Sequence, residues 1–337
     1  MNSPAPITSQ RYAVLDRPPV TLSGFFMRWE VILVGLLIAV VVINTIISPY
    51  FLDVYNLSDA TFNFSEKALL ALAMALLIIT REIDLSVAAI IAVCSLCMGL
   101  LAKAGYGPLP LIFAGLLVGA ACGAVNGFLV TYFSLPSIVV TIGTMSLFRG
   151  LAQVVLGDQA LSKYPAGFSA IGQGYIFEKV PLPISFVIFL AAAVVFGFVL
   201  HRTVLGRRIF AIGHNPTAAR YSGVQVDKIR FGLFVLIGVM AGLAAVLLTG
   251  RIGSTRPNIA QGWELEVVTM VILGGVSISG GSGTILGVVL SVLVLGLTTF
   301  GLSLVNVPGI VISILIGVLL IVAISAPILA AKFKKSR

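Results

Sequence analysis

Three cysteines, Cys94, Cys97 and Cys122, and two histidines, His201 and His214, are the side chains best equipped to bind a metal or assist nucleophilic attack. The Cys94-x-x-Cys97 spacing suits zinc or a redox dithiol. All three cysteines, however, fall in apolar runs that offer neither a second ligand pair nor aqueous access, and they read as packing residues. A membrane serine hydrolase could use Ser277 in the run Gly275-Val276-Ser277-Ile278. It would need a general base, and both histidines lie in one basic loop, so that dyad cannot be assembled. No His/Cys/Asp/Glu cluster has metal-ligand spacing, and no G-x-x-x-x-G-K-[ST] loop is present to cradle a nucleotide. Residues 277–283, SISGGSG, look like the signature loop of transport ATPases, but without a phosphate loop upstream the likeness is coincidental. The expectation is a chain with no catalytic residue, no metal and no cofactor.

The elements around these residues are membrane elements. Of 337 residues, 59% are hydrophobic and 10% charged, with a mean hydropathy of +1.13. A hydrocarbon core about 30 Å thick is crossed by about 20 apolar residues of helix, so the chain has room for many crossings and no large soluble domain. The expected fold is an all-α polytopic membrane protein of about ten helices, at 30–48, 67–80, 85–102, 108–132, 134–156, 183–200, 231–250, 264–279, 284–303 and 308–330. Short or broken helices lie near its centre. The segments are a cytoplasmic tail at 1–29, a transmembrane domain at 30–330 that holds the cytoplasmic loop 201–230, and a cytoplasmic tail at 331–337. The first apolar run is too long for a signal-peptide core and reads as an uncleaved anchor.

The net charge of +9 is mainly an orientation signal. With the amino terminus inside, fourteen of the 21 lysines and arginines fall on inner segments, six of them in the loop 201–230, and six fall outside, at Lys67, Lys103, Lys163, Lys179, Arg251 and Arg256. Both termini and the basic loop are therefore expected in the cytoplasm, with 157–180 and 251–263 on the other side. Asn56-Leu57-Ser58 and Asn63-Phe64-Ser65 match the glycosylation pattern, but matches this short occur by chance and a bacterial host would not use them.

Four glycines, Gly115, Gly119, Gly123 and Gly127, line one helix face and admit a close backbone neighbour. That neighbour is either another helix of this chain, the favoured reading, or a second subunit. Residues 67–80 and 264–279 are too short or too interrupted for ordinary spans, which is how transporters build pathways and gates. The glycine-rich stretch 280–283 fits a gate and a tight turn equally. Arg81, Glu82 and Asp84 are expected at the membrane interface, with Asp84 and Ser86 capping the next helix. Arg149 falls inside a span and should face the bundle interior or snorkel outward. The spans otherwise hold few charges, which disfavours the rival reading, an ion-coupled secondary transporter of a small polar solute. Candidates for a pathway or gate are Asp84, Asn126, Thr141, Glu266, Thr269, Gly274 and Gly275. The uncharged polar groups of the spans, Asn44, Asn126, Thr141, Thr144, Ser146, Gln153 and Thr269, suit a neutral cargo.

Three blocks then carry a family resemblance: GRRIFAIGHNPTAARYSGVQVDKIRFGLF from Gly206, ELEVVTMVILGGVSISGGSGTILGVVL at 264–290, and REIDLSVAAI at 81–90. They closely resemble the permease subunits of ATP-binding cassette sugar importers of the ribose, xylose, rhamnose and autoinducer-2 group. The resemblance covers most of the chain from about residue 30. It implies about ten helices, a second permease subunit, a cytoplasmic ATPase docked on a coupling segment, a periplasmic sugar-binding protein and import across the bacterial inner membrane. It places Arg207, Gly213, Asn215, Pro216, Ala218, Ala219, Tyr221 and Gly223 on the ATPase-coupling motif. The residues fit: Asn215 can cap a short helix that starts at Pro216 and presents small side chains to a groove. Two departures stand out. The family often has Gly-Gly where this chain has Arg81-Glu82, and Gly-Lys-Gly in place of Gly281-Ser282-Gly283. The Arg-Glu variant is more similar to rhamnose-type permeases than to ribose ones, and the expected cargo is a neutral monosaccharide or deoxy-sugar.

Overall fold

The computed structural model describes residues 29–176 and 181–335, with side chains to residue 325. Residues 1–28 and 336–337 of the expected tails 1–29 and 331–337, including Arg11 and Arg17, lie outside the described residues, as does Lys179. The helices are α1 (Trp29–Ile47), α2 (Val54–Ile79), α3 (Val87–Lys103), α4 (Pro108–Tyr132), α5 (Ser137–Leu156), α6 (Ala166–Gln173), α7 (Ile184–Arg202), α8 (Val204–His214), α9 (Pro216–Tyr221), α10 (Val226–Ile252), α11 (Trp263–Leu273), α12 (Ile285–Leu304) and α13 (Gly309–Lys335). The protein is an all-α polytopic membrane protein, and among the described residues seven helices are long and apolar enough to cross a bilayer. Outward-facing apolar side chains such as Ile46, Leu117, Val154 and Ile310 would be a liability in water and are at home in lipid.

Helix α2 is central and longer than the expected 67–80. Its start is set by Asp53, whose carboxylate accepts from the N–H groups of Tyr55 and Asn56. At 26 residues it is about 39 Å long, which puts Glu66 and Lys67 in mid-helix and makes the asparagines at 56 and 63 helical. Lys67 is therefore not an outer-loop residue. Helix α2 ends in a Schellman motif: the N–H of Arg81 bonds the carbonyl of Ile78, and that of Glu82 the carbonyl of Leu77. The left-handed position of that motif, usually glycine, is held by Arg81 at φ 70°. An L side chain there costs about 1 kcal/mol.

The glycine stripe packs within the chain. Helices α4 and α10 touch backbone to backbone, and a Cβ on Gly123 would lie 2.2 Å from the Phe234 carbonyl oxygen. A Cβ on Gly119 would lie 2.3 Å from that of Gly238, and Gly238 is equally closed against Gly119. Only glycine permits this approach.

Helix α11 has 11 residues, about 16 Å, roughly half of a crossing. It stops at Leu273, short of the expected 279, in a second Schellman motif with Gly275 at φ 85°. Its first turn meets Lys67 in the middle of α2, so residues 253–262 descend into the bundle as irregular chain. Backbone at that depth must find partners inside the protein. Arg149 supplies them, donating to the carbonyls of Pro257 (2.7 Å) and Ile259 (2.8 Å), and Leu161 and Thr255 exchange backbone hydrogen bonds. Arg149 thus faces the bundle interior.

Candidate functional site

The candidate coupling segment begins where α7 hands over to α8. Thr203 caps α8 by accepting from the Gly206 N–H, and Gly206 lies so close to the Leu200 carbonyl that a Cβ would come to 1.9 Å. Asn215 then ends α8 and starts α9: its Oδ1 accepts from the Ala218 N–H at 3.0 Å, with Pro216 at the first helical position. Helix α9 closes with Gly223 at φ 83°, the Gly223 N–H bonding Arg220 and the Val224 N–H bonding Ala219. Arg220 and Asp227 pair at 2.7 Å on the surface, where such a pair adds little stability.

The two alanines part company. Ala219 is buried with Ile212 and Val226, so it anchors α9, and the expected small-residue face is corrected to Thr217, Ala218, Tyr221 and Ser222. Tyr221 is 90% exposed, an amphipathic ring with no partner within the chain's own core. Tyrosines placed this way are favoured anchors at protein interfaces. Arg207 and Asn215 are also exposed, whereas Gly213 points inward. A Cβ on Gly213 would meet the Ile79 carbonyl oxygen at 2.0 Å and the Gly281 nitrogen at 2.3 Å.

That inward contact is one side of a junction. The Gly281 N–H bonds the Ile79 carbonyl, and Gly280 lies against Arg81 and Gly281 against the His214 ring. The Arg81 guanidinium donates from Nε to the Gly213 carbonyl (2.7 Å) and from Nη2 to the His214 carbonyl (2.8 Å). Arg230, in the first turn of α10, pairs with Glu82 at 2.9 Å and donates to the Thr80 carbonyl. Residues 280–283 thus form a tight turn wedged between α2 and α8.

The pathway and gate candidates do not converge. Asp84, Asn126 and Thr141 belong to a buried knot: the Asp84 carboxylate accepts from Ser86 N–H (2.8 Å), the Ser86 hydroxyl (2.6 Å) and Asn126 Nδ2 (3.2 Å). Burial pushes the Asp84 carboxyl above its ordinary range, while the Ser86 and Asn126 hydrogen bonds pull it back. Ser137, which accepts from the Ile83 N–H, and Thr141, whose hydroxyl donates to the Ile83 carbonyl at 3.4 Å, tie α5 to this knot. Thr269 is buried and bonds its own helix at Leu265. Gly274 packs against α12 at Gly287 and Val288, and Gly275 against Trp29, whose Nε1 donates to the Leu273 carbonyl.

Glu266 belongs to a charged group that the sequence reading did not assemble. Lys67 pairs with it and lies 5.0 Å over the Trp263 ring, while Glu66, fully buried, pairs with Arg251 at 2.8 Å. Two opposite-charge pairs therefore join the middle of α2 to the last turn of α10 and the first turn of α11, and Arg251 joins Lys67 as a helix residue rather than a loop one. The asparagine-aspartate-rich turn at 53–56 was the available signal, because a helix begun at Val54 carries Glu66-Lys67 to its centre. Near the same end, a recess of about 680 Å³ is lined by Gln153, Asp158, Gln159, Arg256 and Asn258. Of the uncharged polar groups expected along a pathway, Ser146 and Gln153 alone remain exposed, on α5 beside Gly143. Asn44 instead donates to the Leu297 carbonyl.

Residues 56–324 match the family described as branched-chain amino acid transport system / permease component, and the chain belongs to it. It is similar to the autoinducer 2 import system permease protein LsrD of Escherichia coli (strain K12), of Escherichia coli O157:H7 and of Shigella flexneri. In each case the identity is 35% over 303 residues, 88% of this chain and 91% of the relative. No solved structure matches. As the permease component of an ATP-binding cassette importer, the chain has no ATPase site of its own, and ATP is hydrolysed by a partner subunit.

Proposed function

We propose that this chain is the inner-membrane permease of an ATP-driven importer for a neutral monosaccharide or deoxy-sugar. A cytoplasmic ATPase docks on α9, a periplasmic sugar-binding protein delivers cargo at the opposite end, and a second permease subunit, identical or homologous, completes the route. The observation that carries the reading is α9 itself: a capped, anchored helix of one and a half turns that offers Thr217, Ala218 and Tyr221 outward from a basic segment. The coupling set is accordingly Arg207, Asn215, Pro216, Ala218 and Tyr221 at the surface, with Gly213, Ala219 and Gly223 shaping it. Both termini and residues 201–230 are cytoplasmic in this reading. The count of fourteen inner against six outer cations supports that orientation.

A neutral cargo remains supported, because the buried and half-buried charges pair off as Glu66–Arg251 and Lys67–Glu266. Ser146 and Gln153 on α5 are offered as pathway-lining groups. Rhamnose is the cargo favoured by Arg81-Glu82. The relatives' stated cargo, autoinducer 2, is the second reading, supported by the identity across 88% of the chain. The ion-coupled carrier is set aside on family membership.

The docking test is Ala218→Trp. The variant should lose co-purification of the cognate ATPase while the solubilised permease keeps its elution profile. Retention of the ATPase at the wild-type ratio would remove α9 from the interface.

A further inference from the structure

We propose that Arg81 is the residue that transmits movement of the ATPase-docking segment into the membrane helices. It is a positioning residue, and the proposal rests on the reading that α9 docks the ATPase. Arg81 occupies the left-handed place at the end of α2, which favours glycine, so its backbone gains nothing from being arginine. Its side chain accounts for its presence there. The guanidinium reaches across 132 residues of sequence to the Gly213 carbonyl and then to that of His214. Those two oxygens belong to the last turn of α8, which has no helical partners for them and carries the negative end of the helix dipole, so a cation is the fitting ligand.

The surroundings leave little freedom for α8 to slide past α2. Gly213 and Gly281 meet the α2 terminus and the His214 ring at distances that exclude even a methyl group, and the Gly281 N–H takes up the Ile79 carbonyl. On the other flank Glu82 grips Arg230 at the start of α10. A close-packed junction of this kind passes displacement on as a rigid shift rather than absorbing it. A push on α9 is thus delivered through Arg81 to α2, whose next residues lead into the buried knot at Asp84, and through the 280–283 turn to α11 and α12.

The experiment uses the full complex of permeases, ATPase and binding protein in vesicles. Its probe is whichever of rhamnose, ribose or autoinducer 2 the wild-type complex accumulates. Arg81→Gly keeps the left-handed backbone and removes the side chain, guanidinium included. It should assemble with the ATPase as wild type does and keep its thermal midpoint, yet cargo moved per ATP hydrolysed should fall about ten-fold. Arg81→Lys, which keeps one donor and the charge, should lie between. Unchanged cargo per ATP in Arg81→Gly would overturn the proposal, as would a lowered midpoint, which would mark a merely structural residue, or lost assembly, which would mark a docking one. Failure of the docking reading shows separately, as an ATPase retained by Ala218→Trp.

Discussion

Replacing Gly123 with alanine sets two effects of opposite sign against each other on one helix. In an exposed mid-helix position the change should stabilise, since glycine is about 0.8–1 kcal/mol less favourable than alanine there. At Gly123 the new methyl would lie 2.2 Å from the Phe234 carbonyl oxygen, and an ordinary contact is about 3.5 Å. Helices α4 and α10 must then part by roughly 1.3 Å along most of their shared face. Overpacking of this kind costs about 1–3 kcal/mol, so after the propensity gain Gly123→Ala should be less stable by about 1 kcal/mol. Gly143 on α5 has nothing within 4 Å, and there alanine should keep the gain. The two variants should therefore differ by about 2 kcal/mol in denaturant unfolding of the detergent-solubilised permease. Adding Gly119→Ala to Gly123→Ala should cost less than the sum, because both substitutions press on one contact. If Gly123→Ala unfolds together with Gly143→Ala, backbone contact between α4 and α10 does not limit the fold.

Glu66→Gln should destabilise the permease by about 3 kcal/mol, because Arg251 is left charged beside a neutral partner, and Glu66→Gln with Arg251→Gln should recover most of that in the same unfolding assay. Asn215→Ala removes the α9 cap, worth about 1 kcal/mol, and should weaken ATPase retention about five-fold, while Asn215→Ser keeps the cap and the affinity. In a cysteine-free background, a cysteine at Ser162 should react with an impermeant reagent added outside intact cells and one at Ser222 should not, and the opposite pattern would invert the topology.

Much of this was legible in the sequence wherever a local rule decides the outcome. Asn215-Pro216 is a cap followed by a first-turn proline, and the helix starts there. The four-residue glycine repeat marks a close helix neighbour. The limits of α2 and α11 were not legible from apolar runs, because hydropathy does not see a helix that opens with polar residues 54–67, and Glu66-Lys67 looked like an end while their partners lay on α10 and α11. The direction of Ala219 depends on Ile212 and Val226, and the reach of Arg81 on a turn 132 residues away; neither leaves a periodic trace.

The central claim is that cargo moves only when a partner ATPase, acting through α9, hydrolyses ATP. Vesicles reconstituted with the permeases, ATPase and binding protein, with ATP on the α9 side, measure this directly. Uptake should require ATP, persist without any ion gradient and vanish in Ala218→Trp. Accumulation driven by a proton or sodium gradient in the absence of ATP would contradict it.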